Sequence, residues 1–71
     1  MESILMKRGI ITSPGMYSGW VIDVVDDVDA SGGYYLLRYT KNKEEGFDDW
    51  FLTEEQLYNQ IEFERLIIVW D

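Results

Sequence analysis

The sequence contains no cysteine and no histidine. Without cysteine, neither a disulfide framework nor a thiolate metal site can form. Without histidine, the chain lacks the side chain that most often moves protons near neutral pH, and its serine and threonine hydroxyls have no imidazole base to activate them. A pair of catalytic carboxylates would be the remaining route to catalysis, but a chain this short has little left to build a cleft. We therefore expect a protein that is not an enzyme and that uses no cofactor.

Long apolar runs are also missing. No stretch approaches the roughly 20 apolar residues that a membrane-spanning helix needs. Near the N-terminus, Lys7 and Arg8 follow a short apolar patch instead of preceding a long one, which is the wrong order for a secretory signal. Together with the lack of cysteine, which fits a reducing compartment, this predicts a cytoplasmic protein.

Basic residues are scarce, with six lysines and arginines against fourteen aspartates and glutamates and a net charge of −8. Residues 1–18 are slightly positive, so the deficit lies in the rest of the chain. A negative field repels nucleic acid and anionic lipid and attracts basic partners. We therefore expect a protein partner with a basic surface, and no direct nucleic-acid or membrane binding. An acidic surface also keeps a small protein soluble, and charge alone does not separate these two explanations.

Aromatic residues are abundant: three tryptophans, five tyrosines and three phenylalanines stand in 71 residues. The length corresponds to a single domain, residues 1–71, and a domain of this size buries only about 60% of the surface of its unfolded chain. Large rings bury roughly 150–250 Å² each. They can therefore supply a core where no disulfide does.

The organising stretch runs over Gly19–Thr40, where two apolar strands flank an acidic turn that ends in two glycines. Thr53-Glu54-Glu55-Gln56 matches a capping box at a helix start. The pattern predicts strands over 8–12, 20–25, 34–40, 47–52 and 65–70, and one short helix over 54–62. The expected fold is α+β and mainly β: a small, strongly bent antiparallel sheet, an SH3-like barrel or roll, in the order β-β-β-β-α-β. We expect strand 20–25 to be central and largely covered on both faces, since Asp23 is its one polar residue, and strand 65–70 to be well buried.

The turn sequence DVDASG, residues 27–32, matches the first half of a calcium loop. The position that should supply a bidentate glutamate is Arg38, a fixed cation. Aspartate, serine and glycine are also the ordinary residues of a hairpin turn. We interpret the motif as a turn and assign no metal site, leaving weak cation binding at Asp27 and Asp29 open.

A second acidic cluster lies on and after the connection that precedes strand 47–52. If the strand ends meet, the two clusters form one acidic surface with Trp50 as an aromatic anchor, because charges steer and rings anchor. The predicted partner-binding residues are Asp23, Asp26, Asp27, Asp29, Glu44, Glu45, Asp48, Asp49 and Trp50. In the alternative, the acids are merely solvated and the rings belong to the core, although regular alternation places Phe47 and Trp50 on opposite faces of their strand.

The segment GWVIDVVDDVDASGGYYLL, together with GFDDW and the terminal IIVWD, is similar to small bacterial immunity-type proteins of polymorphic toxin systems. In that family a G-W strand, a D-D…S/T-G-G turn, an aliphatic strand and a G-[FY]-D-x-W segment recur. The resemblance covers Gly19 to Trp50, with Trp70-Asp71 as a further echo, and residues 1–18 do not contribute. It implies a non-enzymatic protein that neutralises a cognate toxin by occluding it.

Three functions follow from these patterns. An immunity or inhibitor protein that occludes a basic toxin should bind in a salt-sensitive way, with Asp48 and Asp49 speeding association. An SH3-like regulatory or assembly subunit that docks on a larger complex should depend on Trp50 and little on salt. A metal-dependent enzyme would need saturable Ca²⁺ or Mg²⁺ binding between Asp27 and Asp29.

Overall fold

Five antiparallel strands form one sheet in the computed structural model, which describes residues 3–71. The strands are β1 (Ile4–Ile11), β2 (Val21–Asp27), β3 (Gly33–Tyr39), β4 (Gly46–Phe51) and β5 (Ile68–Trp70), and the helices are α1 (Val28–Ser31) and α2 (Glu54–Phe63). Across the sheet the order is β4-β3-β2-β1-β5. Because β4 and β5 are the two edges and do not pair with each other, the sheet is open.

The predicted mainly β architecture is confirmed, but its details differ. The sheet does not close, so an SH3-like barrel is not confirmed, and the one-turn helix α1 makes the order β-β-α-β-β-α-β. The prediction of a well-buried strand over 65–70 is wrong. Arg65 has a left-handed φ of 57° that interrupts the extended chain. Only three residues then pair, at the edge of the sheet, and Val69 stays 60% exposed.

The core lies between α2 and one face of the sheet, which we call the helix face. Strand alternation sends every second side chain to this face. Its centre is formed by Ile22, Val24 and Leu36, each 0% exposed, with Leu57 and Ile61 of α2 packed against them. Burial of an aliphatic side chain of this size stabilises the fold by about 1.5–3 kcal/mol. These few contacts therefore fix the helix on the sheet.

Helix α2 begins at the capping box that the sequence predicts. Thr53 is extended (φ −132°, ψ 157°), and its hydroxyl accepts a hydrogen bond from the backbone N–H of Gln56. The Gln56 side chain in turn accepts from the N–H of Leu52, at 3.3 Å. The reciprocal bond thus falls one residue before the capping threonine. The bond to Thr53 satisfies one of the amides that a helix start would otherwise leave unpaired.

Replacing Thr53 by alanine removes the oxygen that accepts from Gln56, so we expect Thr53→Ala to lower the free energy of unfolding by about 1 kcal/mol. Thr53→Ser keeps the oxygen and should stay close to the original protein. Urea unfolding followed by circular dichroism measures both. Equal stabilities for the two variants would contradict the capping assignment.

Candidate protein-binding surface

One face of the sheet has no layer packed over it among residues 3–71. Residues directly opposite in paired strands share a face, so the register assigns each strand residue to the helix face or to its reverse, which we call the open face. Its apolar members are Leu5, Ile10, Val21, Val25, Tyr35, Leu37, Tyr39, Trp50 and Val69. None of them is buried.

This burial contrast within β2 is sharp. Ile22 and Val24 on the helix face are fully buried, whereas Val21 and Val25 on the open face remain partly exposed. The predicted central position of this strand is confirmed, and its coverage is complete on the helix face and partial on the open face, where Asp23 is buried and the two valines are partly exposed. The apolar residues of β2 serve two faces of the sheet. One face packs on α2, and the described chain leaves the other open except at the edge that α1 contacts.

The centre of the open face is a charge pair. Arg8 of β1 lies opposite Asp23 of β2 and donates to its carboxylate from Nε at 2.8 Å and from Nη2 at 3.0 Å. The Tyr39 hydroxyl donates to the same carboxylate at 2.8 Å. Asp23 is only 4% exposed. This predicted partner-binding residue is thus engaged within the chain, and the pair adds no net charge to the face.

The surroundings of this pair shift the pKa of both hydrogen-bond donors in one direction. The hydrogen bond and the charge of Asp23 raise the pKa of Arg8 further above its usual value. Partial burial, followed by the hydrogen bond to Asp23, raises the pKa of Tyr39 above its usual value. Both protons therefore stay in place at neutral pH, and the three side chains form a fixed polar island among apolar neighbours.

Trp50 lies on the open face opposite Tyr35 and is 44% exposed. Its indole rests against Gly33, where an added Cβ would come within 2.5 Å of Trp50 Cζ2. The indole Nε1 donates to the hydroxyl of Ser31 at 2.9 Å. Gly33, which has no side chain, thus leaves room for the ring to pack against the backbone, and Ser31 supplies its hydrogen-bond acceptor. Sequence reasoning missed these supports, although a serine followed by two glycines was their visible signal.

The predicted acidic residues do not form one surface. By register, Asp27 and Asp48 belong to the open face, and Asp26 and Asp49 to the helix face. Asp29 lies in α1, while Glu44 and Glu45 lie in the connection between β3 and β4. Successive turns of a meander alternate between the ends of a sheet. At about 3.3 Å per residue, the seven residues of β3 place these two turns about 20 Å apart.

Asp49 also has a structural partner. The Arg38 guanidinium is 1% exposed and donates to Asp49 Oδ2 at 2.6 Å and to the carboxylate of Glu64 just after α2. Its Cζ lies 4.5 Å from the centroid of the Phe47 ring. Arg38 therefore ties β3, β4 and the end of α2 together. In the sequence, Arg38 is recognised only as a cation at the position where a calcium loop requires a glutamate, and its structural role is not predicted.

Residues 27–32 connect two antiparallel neighbours, as the predicted hairpin turn requires, but the connection contains the one-turn helix α1. Asp26 Oδ1 accepts from the N–H of Val28 at 3.0 Å, and the Ser31 hydroxyl donates to the carbonyl of Asp27 at 3.1 Å. Gly32 ends α1 with a φ of 84°. Within residues 3–71 the structure contains no group of three or more side chains placed to hold a metal ion.

No protein-family model, curated protein or solved structure matches this chain. None of the helices in the described part of the chain is long and apolar enough to cross a membrane. The surface geometry is therefore the basis for assigning a function.

Because Asp49 holds a buried guanidinium and its neighbour Asp48 makes no ion pair within residues 3–71, the two positions should differ in stability. A hydrogen bond to a charged group contributes about 1.5–3 kcal/mol, and the partial exposure of Asp49 lowers that figure. We expect Asp49→Asn to cost about 1–2 kcal/mol of unfolding free energy and Asp48→Asn to stay within about 0.5 kcal/mol. Urea unfolding of the two variants provides the comparison, and equal losses would contradict the role of Asp49.

The raised pKa of Tyr39 predicts a dependence on alkaline pH. Its phenol is neutral in both states below about pH 10, the usual tyrosine value, so its contribution to stability is complete there. It is lost as pH rises through the native pKa, because the unfolded chain releases the proton first. Tyr39→Phe should be less stable at neutral pH, where its hydrogen bond is missing, and should lose less stability than the original protein above pH 10. Urea unfolding across this pH range tests the expectation, and parallel curves would contradict it.

Proposed function

We propose that this chain is a non-enzymatic protein-binding module that docks its open face on a partner with a basic surface. The observation that carries the proposal is the set of nine apolar and aromatic side chains on that face, none of them buried. Apolar and aromatic side chains gathered on one face of a small protein without a layer packed over them are characteristic of interaction sites.

Charge supports the choice of partner. Arg8 and Asp23 cancel each other at the centre of the open face, so Asp27 and Asp48 leave its strand residues with two uncompensated negative charges. The chain as a whole carries −8. Uncompensated charges towards the margins of a patch agree with the polar rim that protein interfaces have. Apolar contact would hold the complex, and the negative field would speed the approach of a basic partner.

Within this class we propose an immunity or inhibitor protein that occludes a basic toxin, such as a nuclease. The resemblance over Gly19–Trp50 to immunity-type proteins supports this choice, as does the acidic field, which would suit a surface that normally binds nucleic acid. Occlusion requires only a tight fit, which agrees with a site made of apolar side chains and a fixed polar island.

The alternative is an SH3-like regulatory or assembly subunit that docks on a larger complex. The placement of Trp50 favours it, since Gly33 and Ser31 hold the exposed indole in one position. A preordered aromatic anchor loses little entropy on binding. In this case Trp50 would dominate the affinity and salt would have little effect.

Affinity capture on the immobilised chain at low salt, with elution at high salt, should isolate the partner. If the chain is an immunity protein, the partner expressed alone should arrest growth, and co-expression of the chain should restore it. A harmless partner that belongs to a larger assembly would favour the alternative. Capture that is insensitive to salt would contradict a basic partner.

With the partner in hand, Asp27→Asn combined with Asp48→Asn should slow association several-fold at low salt and leave dissociation unchanged, because exposed charges act on encounter rates. The matched control is Glu55→Gln combined with Glu62→Gln on α2, which removes the same charge from the other side of the molecule. Trp50→Ala should mainly speed dissociation, at a cost of about 2 kcal/mol. Surface plasmon resonance measures both rates, and equal effects of the two charge pairs would contradict the open face as the contact surface.

A further inference from the structure

Strand β4 is an edge of the sheet that pairs only with β3 among residues 3–71. It is six residues long, whereas the other edge, β5, has three. An edge strand presents backbone N–H and C=O groups that a further strand can bind. The length of β4 is sufficient for a typical strand of about five or six residues to pair along it.

The register shows which groups of β4 point outwards. The Thr40 N–H donates to the Glu45 carbonyl at 2.9 Å, which makes Thr40 and Glu45 a hydrogen-bonded pair. Antiparallel pairs alternate between hydrogen-bonded and non-hydrogen-bonded. The backbones of Phe47, Asp49 and Phe51 therefore bond to β3. Those of Gly46, Asp48 and Trp50 point away from it.

The side chains of β4 indicate which kind of segment would fit along its free edge. Each face of the strand carries an aspartate beside an aromatic ring, with Asp48 and Trp50 on the open face and Asp49 and Phe47 on the helix face. Asp48 has no ion pair within residues 3–71. A lysine or arginine opposite Asp48 would be stabilised, whereas an acidic residue there would be destabilised.

A second copy of this chain is the wrong occupant. Two β4 strands that paired antiparallel through their outward-pointing backbones, centred on Asp48, would bring the Asp48 carboxylates of the two copies directly opposite each other. The net charge of −8 on each molecule adds long-range repulsion. Charge complementarity therefore selects a basic segment and disfavours self-association at this edge.

We infer that the β4 edge binds an extended basic segment of the partner as a sixth strand of the sheet. The added strand would continue the open face beyond Trp50, so the inference rests on the proposed function and specifies how the partner is held. Main-chain hydrogen bonds to Asp48 and Trp50 would supply the pairing. Basic side chains at alternate positions, matched to Asp48, would supply the specificity.

The first test uses an acetylated and amidated peptide of about ten residues, in which lysine and threonine alternate, added to the full chain. Amide hydrogen exchange is followed by NMR. The peptide should slow exchange of the Asp48 and Trp50 amides at least tenfold and leave the Phe47 and Asp49 amides, already bonded to β3, unchanged. A peptide with glutamate in place of lysine should have no effect. Failure of the lysine peptide to bind, or binding that leaves the Asp48 and Trp50 amides exchanging as before, would overturn the inference.

The second test separates the backbone from the charge at one position. Asp48→Asn removes the carboxylate and keeps the N–H, while Asp48→Pro also removes an N–H that β3 does not use, which an edge strand tolerates. For the lysine–threonine peptide and for the captured partner, the asparagine variant should bind several-fold more weakly and the proline variant at least tenfold more weakly again. If the proline variant does not fold, the exchange experiment on the unmodified chain still decides the question.

The outcomes distinguish this inference from the proposed function. Equal binding of the partner by the Asp48→Asn and Asp48→Pro variants would overturn strand addition. Docking through the open face would then still stand if Trp50→Ala weakened the same complex. The proposed function would be overturned as well if the partner bound unchanged to Trp50→Ala, to Asp48→Asn and to the double variant Asp27→Asn with Asp48→Asn.

Discussion

The structure depends on one constraint: a β-strand has two faces, and the described chain contains only one helix long enough to cover either of them. The ten-residue α2 packs Leu57 and Ile61 against Ile22, Val24 and Leu36. All of the apolar surface that α2 buries faces that side of the sheet. Helix α1 cannot cover the other side, because it has four residues and none of them is buried. The apolar side chains on the opposite face of β2 and β3 are only partly buried. In this fold, the location of the helix decides which apolar residues form the core and which are left for a partner.

The acidic residues divide in the same way. Asp23 and Asp49 each accept hydrogen bonds from an arginine and are part of the structure, one on each face of the sheet. Arg38 is almost fully buried, and a buried cation without its carboxylates would cost several kcal/mol. Asp27 and Asp48 form no ion pair within residues 3–71, so their charges are uncompensated. The count of acidic residues therefore overstates how many carboxylates are free to steer a partner, because three of them are held in ion pairs with Arg8 and Arg38.

Local patterns predicted most of the elements, because alternation and capping act over a few residues. Thr53 and Gln56 marked the helix start, and the glycines after Ser31 marked the turn. Pairings between distant residues could not be predicted: Arg8 meets Asp23 only through the exact register between β1 and β2, and Arg38 meets Glu64 across 26 positions. For the same reason the sequence placed Asp23 and Asp49 among free docking residues. It also joined two acidic turns that a meander holds at opposite ends of β3.

The chemistry of β4 connects solubility with recognition. An unpaired edge invites association with any extended chain, and natural proteins protect such edges with charged residues. Asp48 places a carboxylate on the open face and Asp49 places one on the helix face. A strand added at this edge would therefore have a carboxylate beside it on each face of the sheet. The negative charge repels copies of the same acidic protein and attracts a basic strand. Because Asp49 is already held by Arg38, the uncompensated charge lies at Asp48, beside Trp50 and on the face that the described chain leaves open. Protection against self-association and selection of a basic partner therefore both depend on the charge of Asp48.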